Sequence, residues 1–228
     1  MPPYTNHLVI VYEHPDFLVA IKPAGLSFHQ EEGEAGFVER LRKKLGGIRL
    51  WPVHRLDKLT SGLLIFAKNT EAAHYFGAAF AEHRIQKYYL AISDKKPLKK
   101  QGWIKGAMEK GRGGSWRLSR DGELKVATQF FSYGNIQSGK RLFVLKPLSG
   151  RTHQLRVALK SLGSPILGDE RYGGTPADRG YLHAWALDFD YHGERQQILL
   201  APDTGLDFQG IETQLAAIPA PWDLAWPK

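Results

Sequence analysis

The amino-acid sequence predicts an α+β protein, with a largely antiparallel sheet and helices packed on it. Segments of strand composition outnumber helical segments, and short polar turns connect several of them. At 228 residues the chain can bury a sizeable core, either as one large domain or as two fused lobes. It contains no internal repeat and no clear linker that would divide it further.

The elements of the N-terminal half are predicted from apolar runs and the residues that interrupt them. Residues 9–12 and 17–21 have strand composition and are separated by the turn His14-Pro15-Asp16. A short helix is predicted over residues 37–45, where two glycines end it. Residues 63–67 form an uninterrupted apolar run, which is typical of a strand buried on both faces.

The second half continues with a helix to about residue 83, for which Thr70 is the predicted N-cap, and a strand over residues 88–92. Residues 126–133 and 141–148 have strand composition around a predicted hairpin connection at 134–140. Thr152 is predicted to open another helix that Gly163 closes. Arg156 is expected at the border of that helix's apolar face, where it can reach into a cleft.

The composition excludes several kinds of chemistry. The chain has no cysteine, which rules out disulfides, iron–sulfur clusters, a thiolate nucleophile and cysteine-bound zinc. Its nine histidines show no His-Glu-x-x-His pattern, so no metal site is expected. No apolar run could cross a membrane, and the polar N-terminus lacks a signal-peptide pattern. The expected location is therefore the cytoplasm.

The net positive charge of the chain comes from its middle segment. Residues 84–125 hold twelve Lys and Arg against four Asp and Glu, whereas the segments before and after them are balanced. A basic segment with interleaved Trp103 and Trp116 suits a polyanion, because basic side chains release counterions from phosphates and aromatic rings stack on bases. The alternative is a solvated lysine-rich loop that keeps the protein soluble.

The stretch His54-Arg55-Leu56-Asp57 places one carboxylate in a polar turn between two apolar runs. The following Ser61-Gly62 allows the backbone to turn sharply before the predicted strand. Reactive groups are common on loops held by such rigid elements. By itself the Arg-x-Asp pair is more often an ordinary ion pair or a turn cap, so the residues alone leave both interpretations open.

The longer string over residues 54–68 closely resembles the signature of the RluA-type pseudouridine synthases. Further segments resemble motifs of that family, in the family's order: Ile-Lys-Pro-Ala-Gly-Leu at 21–26, Lys-Tyr-Tyr-Leu-Ala at 87–91, the arginine motif at 147–157 and the loop at 163–169. Two positions depart from the usual pattern, because Leu59 replaces a common Asp and Ala158 a common His. Neither position is assigned chemistry in the family, so the departures concern substrate contacts.

The resemblance implies a pseudouridine synthase fold over residues 1–228, a mixed sheet with a central catalytic cleft between two fused lobes. The residues before Ile21 leave no room for the small N-terminal S4 RNA-binding domain that some relatives carry. The implied enzyme is a monomer without cofactor or metal that isomerises a uridine of rRNA or tRNA to pseudouridine.

The resemblance also implies roles for individual residues. Asp57 matches the catalytic carboxylate, Tyr89 the tyrosine that stacks on the uracil, and Arg156 the arginine that pairs with the carboxylate and keeps it ionised. Arg55 matches the residue that fills the space left by the flipped nucleotide. The remaining predicted RNA contacts are His54, Arg151, His153, Lys95, Lys96, Lys99 and Lys100.

Two other classes of protein have to be weighed against this enzyme. A noncatalytic RNA-binding protein on the same fold could lose Asp57, Tyr89 or Arg156, yet all three are present. A glycoside hydrolase with an Asp nucleophile would need a second carboxylate as general acid. The sequence does not decide whether the carboxylate attacks the C1′ atom, attacks the base or removes a ribose proton.

Overall fold

The computed structural model of the chain describes residues 8–136 and 139–228. The described residues form two compact units, one built from residues 8–85 and 184–200 and the other from residues 86–136, 139–183 and 201–228. The first unit thus contains an early and a late part of the sequence. The prediction that the whole chain is one catalytic domain stays a prediction.

The elements are numbered in chain order. The strands are β1 (Val9–Glu13), β2 (Phe17–Lys22), β3 (Trp51–Pro52), β4 (Ser61–Ala67), β5 (Gln86–Ser93), β6 (Gln101–Lys110), β7 (Trp116–Ser119), β8 (Lys125–Ile136), β9 (Lys140–Pro147), β10 (Leu182–Tyr191) and β11 (Glu194–Leu199). The helices are α1 (Phe37–Lys44), α2 (Thr70–Ala81), α3 (Gln154–Ser161) and α4 (Glu212–Ala216). The predicted α+β class with a mostly antiparallel sheet is confirmed.

In the first unit, β2 pairs antiparallel with both β1 and β4, and the short β3 also pairs with β4. Every residue of β4 is buried, as its continuous apolar run predicts. The core of the unit is rich in aromatic rings, with Phe17, Phe76 and Tyr191 within 5.3 Å of one another between ring centroids. Leu63, Ile65 and Ala67 of β4 belong to the same core, so this packing positions the strand that follows Asp57.

In the second unit the strand order is β5, β9, β8, β6 and β7, and each neighbouring pair is antiparallel. The central residues of β9, Leu142 to Leu145, are fully buried. Helix α3 contributes a smaller apolar cluster in which Val157 packs with Met108 of β6 and Val126 of β8. The sheet therefore supports both the strand that carries Tyr89 and the helix that carries Arg156.

The structure corrects several predicted boundaries. Asn69, and not Thr70, is the N-cap of α2, since its side chain accepts a hydrogen bond from the backbone N–H of Ala72. Helix α3 begins at Gln154, two residues after the predicted Thr152, because His153 has a left-handed backbone conformation. The predicted connection at 134–140 is shorter, since β8 extends to Ile136 and β9 begins at Lys140. Residues 137 and 138 of that connection lie outside the described residues.

Candidate active site

Asp57 lies in the connection between β3 and β4, four residues before the strand begins. The turn closes by a hydrogen bond of 3.0 Å, which the backbone N–H of Thr60 donates to the carbonyl oxygen of Asp57. Thr60 and Leu56 on either side are buried, whereas Asp57 is partly exposed. The predicted placement of a carboxylate in a turn at the mouth of a buried strand is confirmed.

Lys22 is the residue that fixes this turn. It is fully buried at the end of β2, and its Nζ donates to the carbonyl oxygens of Thr60 at 2.8 Å and Lys58 at 3.1 Å. It also donates to the carbonyl oxygen of Pro23 at 2.8 Å. The backbone N–H of Gly25 adds a further bond to the Lys58 carbonyl, at 2.8 Å. The Lys-Pro-x-Gly segment thus acts as a clamp on the backbone just after Asp57.

Gly62 holds the start of β4 against β10. Its φ is +112°, and a Cβ at this position would lie only 2.3 Å from the carbonyl oxygen of Ala184. A side chain would therefore push the two backbones apart. The small residue that follows the turn of Asp57 is required by close packing, in addition to the sharp turn that the sequence suggests.

Of the two residues predicted to contact RNA beside Asp57, Arg55 is exposed and His54 is partly buried. The Nε2 atom of His54 accepts a hydrogen bond of 2.9 Å from the backbone N–H of Ile65, and its ring lies 4.7 Å from that of Phe80. The imidazole therefore carries its proton on Nδ1 and braces the segment against β4 and α2. Its contact with RNA stays a prediction.

An acidic loop borders the exposed side of this turn. Glu31 forms an ion pair of 2.9 Å with Lys58, and both side chains are at least half exposed. Hydrogen bonds from Ser27 and then Lys58 hold the pKa of Glu31 below its ordinary value. A depression of about 220 Å³ is lined by Glu31, Arg55 and Lys58 among other residues. Arg55 therefore lines the same depression as an ion-paired carboxylate.

Tyr89 lies in the middle of β5, opposite Leu145 of β9, and is partly exposed. Side chains alternate along a strand, so Lys87 shares its face while Tyr88 points the other way and packs against Trp226. The Nζ atom of Lys87 lies 3.5 Å from the carbonyl oxygen of Ser149. Burial lowers the pKa of Lys87 to about 8.

Arg156 is buried, with 6% of its surface exposed, and this corrects the expectation that it lies at the border of α3. Its Nε and Nη2 atoms donate to the two carboxylate oxygens of Asp169, both at 2.8 Å. Its Cζ lies 4.9 Å from the ring centroid of Tyr172. This pair could not be predicted from the sequence, because burial of a charged residue depends on a partner outside its own helix.

The arginine motif is organised by Gln154, whose role the sequence did not reveal. This buried side chain accepts hydrogen bonds from the Ser149 hydroxyl at 2.8 Å and from the backbone N–H of Arg151 at 3.1 Å. Arg151 itself is exposed and could reach RNA. His153 shares a hydrogen bond of 2.7 Å with the hydroxyl of Tyr172, which fixes its ring. The RNA contacts of Arg151 and His153 stay predictions.

The basic segment contains regular structure and is more than a loop. Strands β6 and β7 run through it as an antiparallel hairpin. The four lysines Lys95, Lys96, Lys99 and Lys100 are exposed in the connection between β5 and β6. The backbone of this connection is anchored, since the Leu98 N–H donates to the carbonyl oxygen of Leu162 at 3.0 Å. The lysines therefore project from a defined surface.

The predicted site residues fall into the two units. The first unit contains Asp57, Arg55 and His54. The second unit contains Tyr89, Arg151, His153, Arg156 and the four lysines. Over residues 8–136 and 139–228, no three His, Asp or Glu side chains are grouped so that they could hold a metal ion. None of the helices in those ranges is long and apolar enough to span a membrane.

Comparison with known proteins establishes the family. Residues 16–161 match the model of the RNA pseudouridylate synthase family. This range includes the turn with Asp57, the strand with Tyr89 and the helix with Arg156. The chain belongs to this family. Its enzyme class is therefore that of the RNA pseudouridine synthases, which are isomerases.

Curated relatives carry the same family name. An uncharacterized RNA pseudouridine synthase of Haemophilus influenzae is 48% identical over 198 residues, which span 86% of this chain and 88% of that protein. The ribosomal large subunit pseudouridine synthase C of Rickettsia bellii is 36% identical over 72% of this chain. The match spans only 56% of that protein, so the chain covers about half of this relative's length.

Solved structures agree with the fold. The human RNA pseudouridylate synthase domain containing 1 is similar at a TM-score of 0.75, with 27% identity over 89% of this chain and 86% of that chain. The human RNA pseudouridylate synthase domain containing 4 has a TM-score of 0.72 and 24% identity over 87% of this chain and 90% of that chain, and supports the fold alone.

Proposed function

We propose that this enzyme converts a specific uridine of large-subunit ribosomal RNA to pseudouridine, with Asp57 as the catalytic carboxylate. The observation that carries the assignment of Asp57 is its turn, which a fully buried lysine fixes from within while the carboxylate stays partly exposed. An ordinary surface ion pair does not require such a support. Precise placement of a reacting group, by contrast, contributes directly to rate.

The reaction breaks the N1–C1′ bond of uridine, turns the uracil and joins C5 to C1′. The proton on C5 leaves and N1 gains a proton, so the product is an isomer and no electrons are transferred. This chemistry requires a carboxylate, a cation that keeps it ionised and a surface that holds the detached base. Asp57, Arg156 and Tyr89 are proposed for these three tasks, and Arg55 is proposed to fill the gap left by the flipped nucleotide.

The ribosomal substrate is proposed from the names of relatives. The Rickettsia protein described above is named for the large ribosomal subunit, and so is the pseudouridine synthase D of Borreliella burgdorferi, which is 32% identical over 80% of this chain and 61% of that protein. Transfer RNA is the alternative substrate. The predictions of a monomer and of a cytoplasmic location stay predictions, and light scattering of the purified chain would test the first.

Tritium release from RNA that carries [5-³H]uridine tests the activity. We expect the original chain to release tritium without cutting the RNA or freeing uracil, and Asp57→Asn to release none while it binds RNA within several-fold of the original affinity. The Asn side chain keeps the shape but removes the nucleophile or base. Asp203→Asn, at an exposed carboxylate of the second unit, is the matched control and should be fully active.

Three outcomes would contradict parts of this proposal. Release of free uracil would identify a glycoside hydrolase, and binding without tritium release by the original chain would identify a noncatalytic RNA-binding protein. Near-original turnover of Asp57→Asn would remove the catalytic assignment. Parallel assays with ribosomal and transfer RNA, followed by mapping of the modified position, decide between the two substrates.

A further inference from the structure

Asp169 holds Arg156 by two hydrogen bonds in a buried place. Its carboxyl side chain is 1% exposed and the arginine side chain 7%. Two parallel charge-assisted bonds to one edge of a guanidinium fix its rotation within the plane of the carboxylate. A single surface contact would leave the arginine free to change rotamer, whereas this arrangement permits one orientation.

Tyr172 restrains the same guanidinium from its face. The Cζ atom of Arg156 lies over the Tyr172 ring, 4.9 Å from its centroid, and Tyr172 is 1% exposed. The Tyr172 hydroxyl accepts a hydrogen bond of 2.9 Å from the backbone N–H of Trp116 and shares another with His153. The tyrosine is thus tied to β7 and to the start of α3, so it cannot follow a movement of the arginine.

The segment that carries Asp169 packs closely against other backbone segments. A Cβ at Gly168, whose φ is +77°, would lie 1.9 Å from the carbonyl oxygen of Arg179. A Cβ at Gly174 would lie 1.9 Å from the carbonyl oxygen of Ile166. The Asp169 carbonyl also accepts from the Tyr172 and Gly174 N–H groups, at 3.0 and 2.9 Å. These contacts place the carboxylate independently of the arginine it holds.

We propose that Asp169, with Tyr172, is a positioning residue of the isomerisation, which fixes the guanidinium of Arg156 in the orientation that the reaction needs. The inference rests on the proposed role of Arg156. Asp169 acts through the arginine and touches neither RNA nor the reacting atoms. Its loss therefore lowers the rate of the chemical step at saturating RNA and leaves RNA affinity nearly unchanged.

Single-turnover kinetics on Asp169→Asn test this role. We expect a rate at saturating RNA about 100-fold below the original and a dissociation constant within about threefold of it, since small misplacements of a catalytic group cost about that much. The matched control is Asp188→Asn, because Asp188 binds Arg195 in the same two-bond manner, at 2.9 and 2.9 Å, in the other unit. The control should lose stability but keep its rate.

A second pair of variants tests the same role independently of whether Asp169→Asn folds. Tyr172→Leu removes the ring below Arg156, and Tyr181→Leu removes a fully buried ring that lies 5.8 Å from Arg179 in the same unit. Rates are measured at a temperature where circular dichroism shows native structure. Tyr172→Leu should be slow and Tyr181→Leu near the original rate. If Asp169→Asn does not fold, this pair decides the question.

Equal rates in the positioning variants and their controls would overturn the inference, and so would a loss confined to RNA affinity. The original chain and Asp57→Asn are assayed alongside. A failure of the proposed function appears in those two samples, whereas a failure of the positioning role appears only in the variants of Asp169 and Tyr172.

Discussion

Tyr89 combines an aromatic ring with a hydroxyl, and the two parts can be separated by substitution. Tyr89→Phe should keep RNA affinity and slow or stop a step after bond cleavage, because the hydroxyl is proposed to move the proton on C5. Tyr89→Leu should bind less well, since stacking of a base on a ring contributes about 1–3 kcal/mol. Binding and tritium-release assays on both variants provide the measurement.

The neighbouring Tyr88 offers a control for this prediction. It lies on the opposite face of β5 and is 2% exposed, so Tyr88→Phe should alter neither binding nor turnover. Full turnover of Tyr89→Phe would show that its hydroxyl has no chemical role.

Lys87 should make the free energy of unfolding depend on pH between about 8 and 10.5. Burial lowers its pKa from 10.5 to about 8, so between these values the unfolded chain retains a proton that the folded chain loses. The free energy of unfolding should therefore rise with pH across this window. Lys87→Met should remove that contribution. Urea unfolding at several pH values from 7.5 to about 10 measures the difference between the two proteins.

Other groups also titrate in this window, so a lysine control is needed. Lys99 is exposed, and Lys99→Met should leave the slope of stability against pH unchanged. Parallel slopes for the original chain and Lys87→Met would contradict the lowered pKa.

At the residue scale the sequence predicted the positions of Asp57 and Arg55 in a turn better than the contacts of the buried charged residues. Asp57 and Arg55 stand in a recognisable motif, and their positions in a turn follow from the apolar runs around them. Lys22 and Asp169 belong to segments that resemble family motifs, yet their contacts were not predictable. A buried charge needs partners that only the folded chain brings together.

At the scale of elements, β2 holds the turn of Asp57 through Lys22. Lys22→Met should keep the length of the side chain but leave three carbonyl oxygens without this donor. The Lys58 carbonyl keeps its hydrogen bond from the Gly25 N–H, whereas the carbonyl oxygen of Thr60 loses a buried donor. A buried acceptor without a partner costs about 1–3 kcal/mol, so stability should fall by about that amount. The rate at saturating RNA should also fall, because the backbone after Asp57 loses its clamp. Urea unfolding and single-turnover kinetics measure the two effects.

Lys44 supplies the control for this substitution. Its Nζ donates to the carbonyl oxygen of Leu8, at 2.5 Å, and neither residue belongs to the connection that carries Asp57. Lys44→Met should lose some stability and keep the catalytic rate. A normal rate in Lys22→Met would mean that the turn keeps its geometry without the lysine.

Some elements with strong local signals were predicted well, whereas β6, β7 and also β10 and β11 were not predicted. The continuous run of β4 marks a buried strand whatever its neighbours are. Strands β6 and β7 were missed, because glycines and lysines interrupt their pattern and the hairpin owes its structure to cross-strand partners. The start of α3 was placed too early, since a left-handed His153 is not visible in composition.

At the scale of the whole molecule, the charge excess lies entirely in residues 84–125, whereas Asp57 and Arg156 lie outside that segment. The asymmetry predicts that nonspecific affinity for phosphates and chemistry are separable by mutation. The four lysines between β5 and β6 are the best place to test this, because their backbone is anchored and all four residues are exposed. Lys95 also donates from Nζ to the carbonyl oxygen of Gly173, at 3.4 Å.

Replacement of Lys95, Lys96, Lys99 and Lys100 together by Gln removes up to four phosphate contacts. Each lost contact should flatten the slope of log affinity against log salt by about 0.7 to 0.9, and affinity at low salt should fall for every RNA alike. Turnover at saturating RNA should change little, since these side chains bind ground state and transition state about equally.

Replacement of the same four lysines by Arg keeps the charge and should keep the slope. An unchanged slope in the Gln variant would show that the lysines are only solvated, and a collapse of turnover at saturation would show that this surface helps to build the active site.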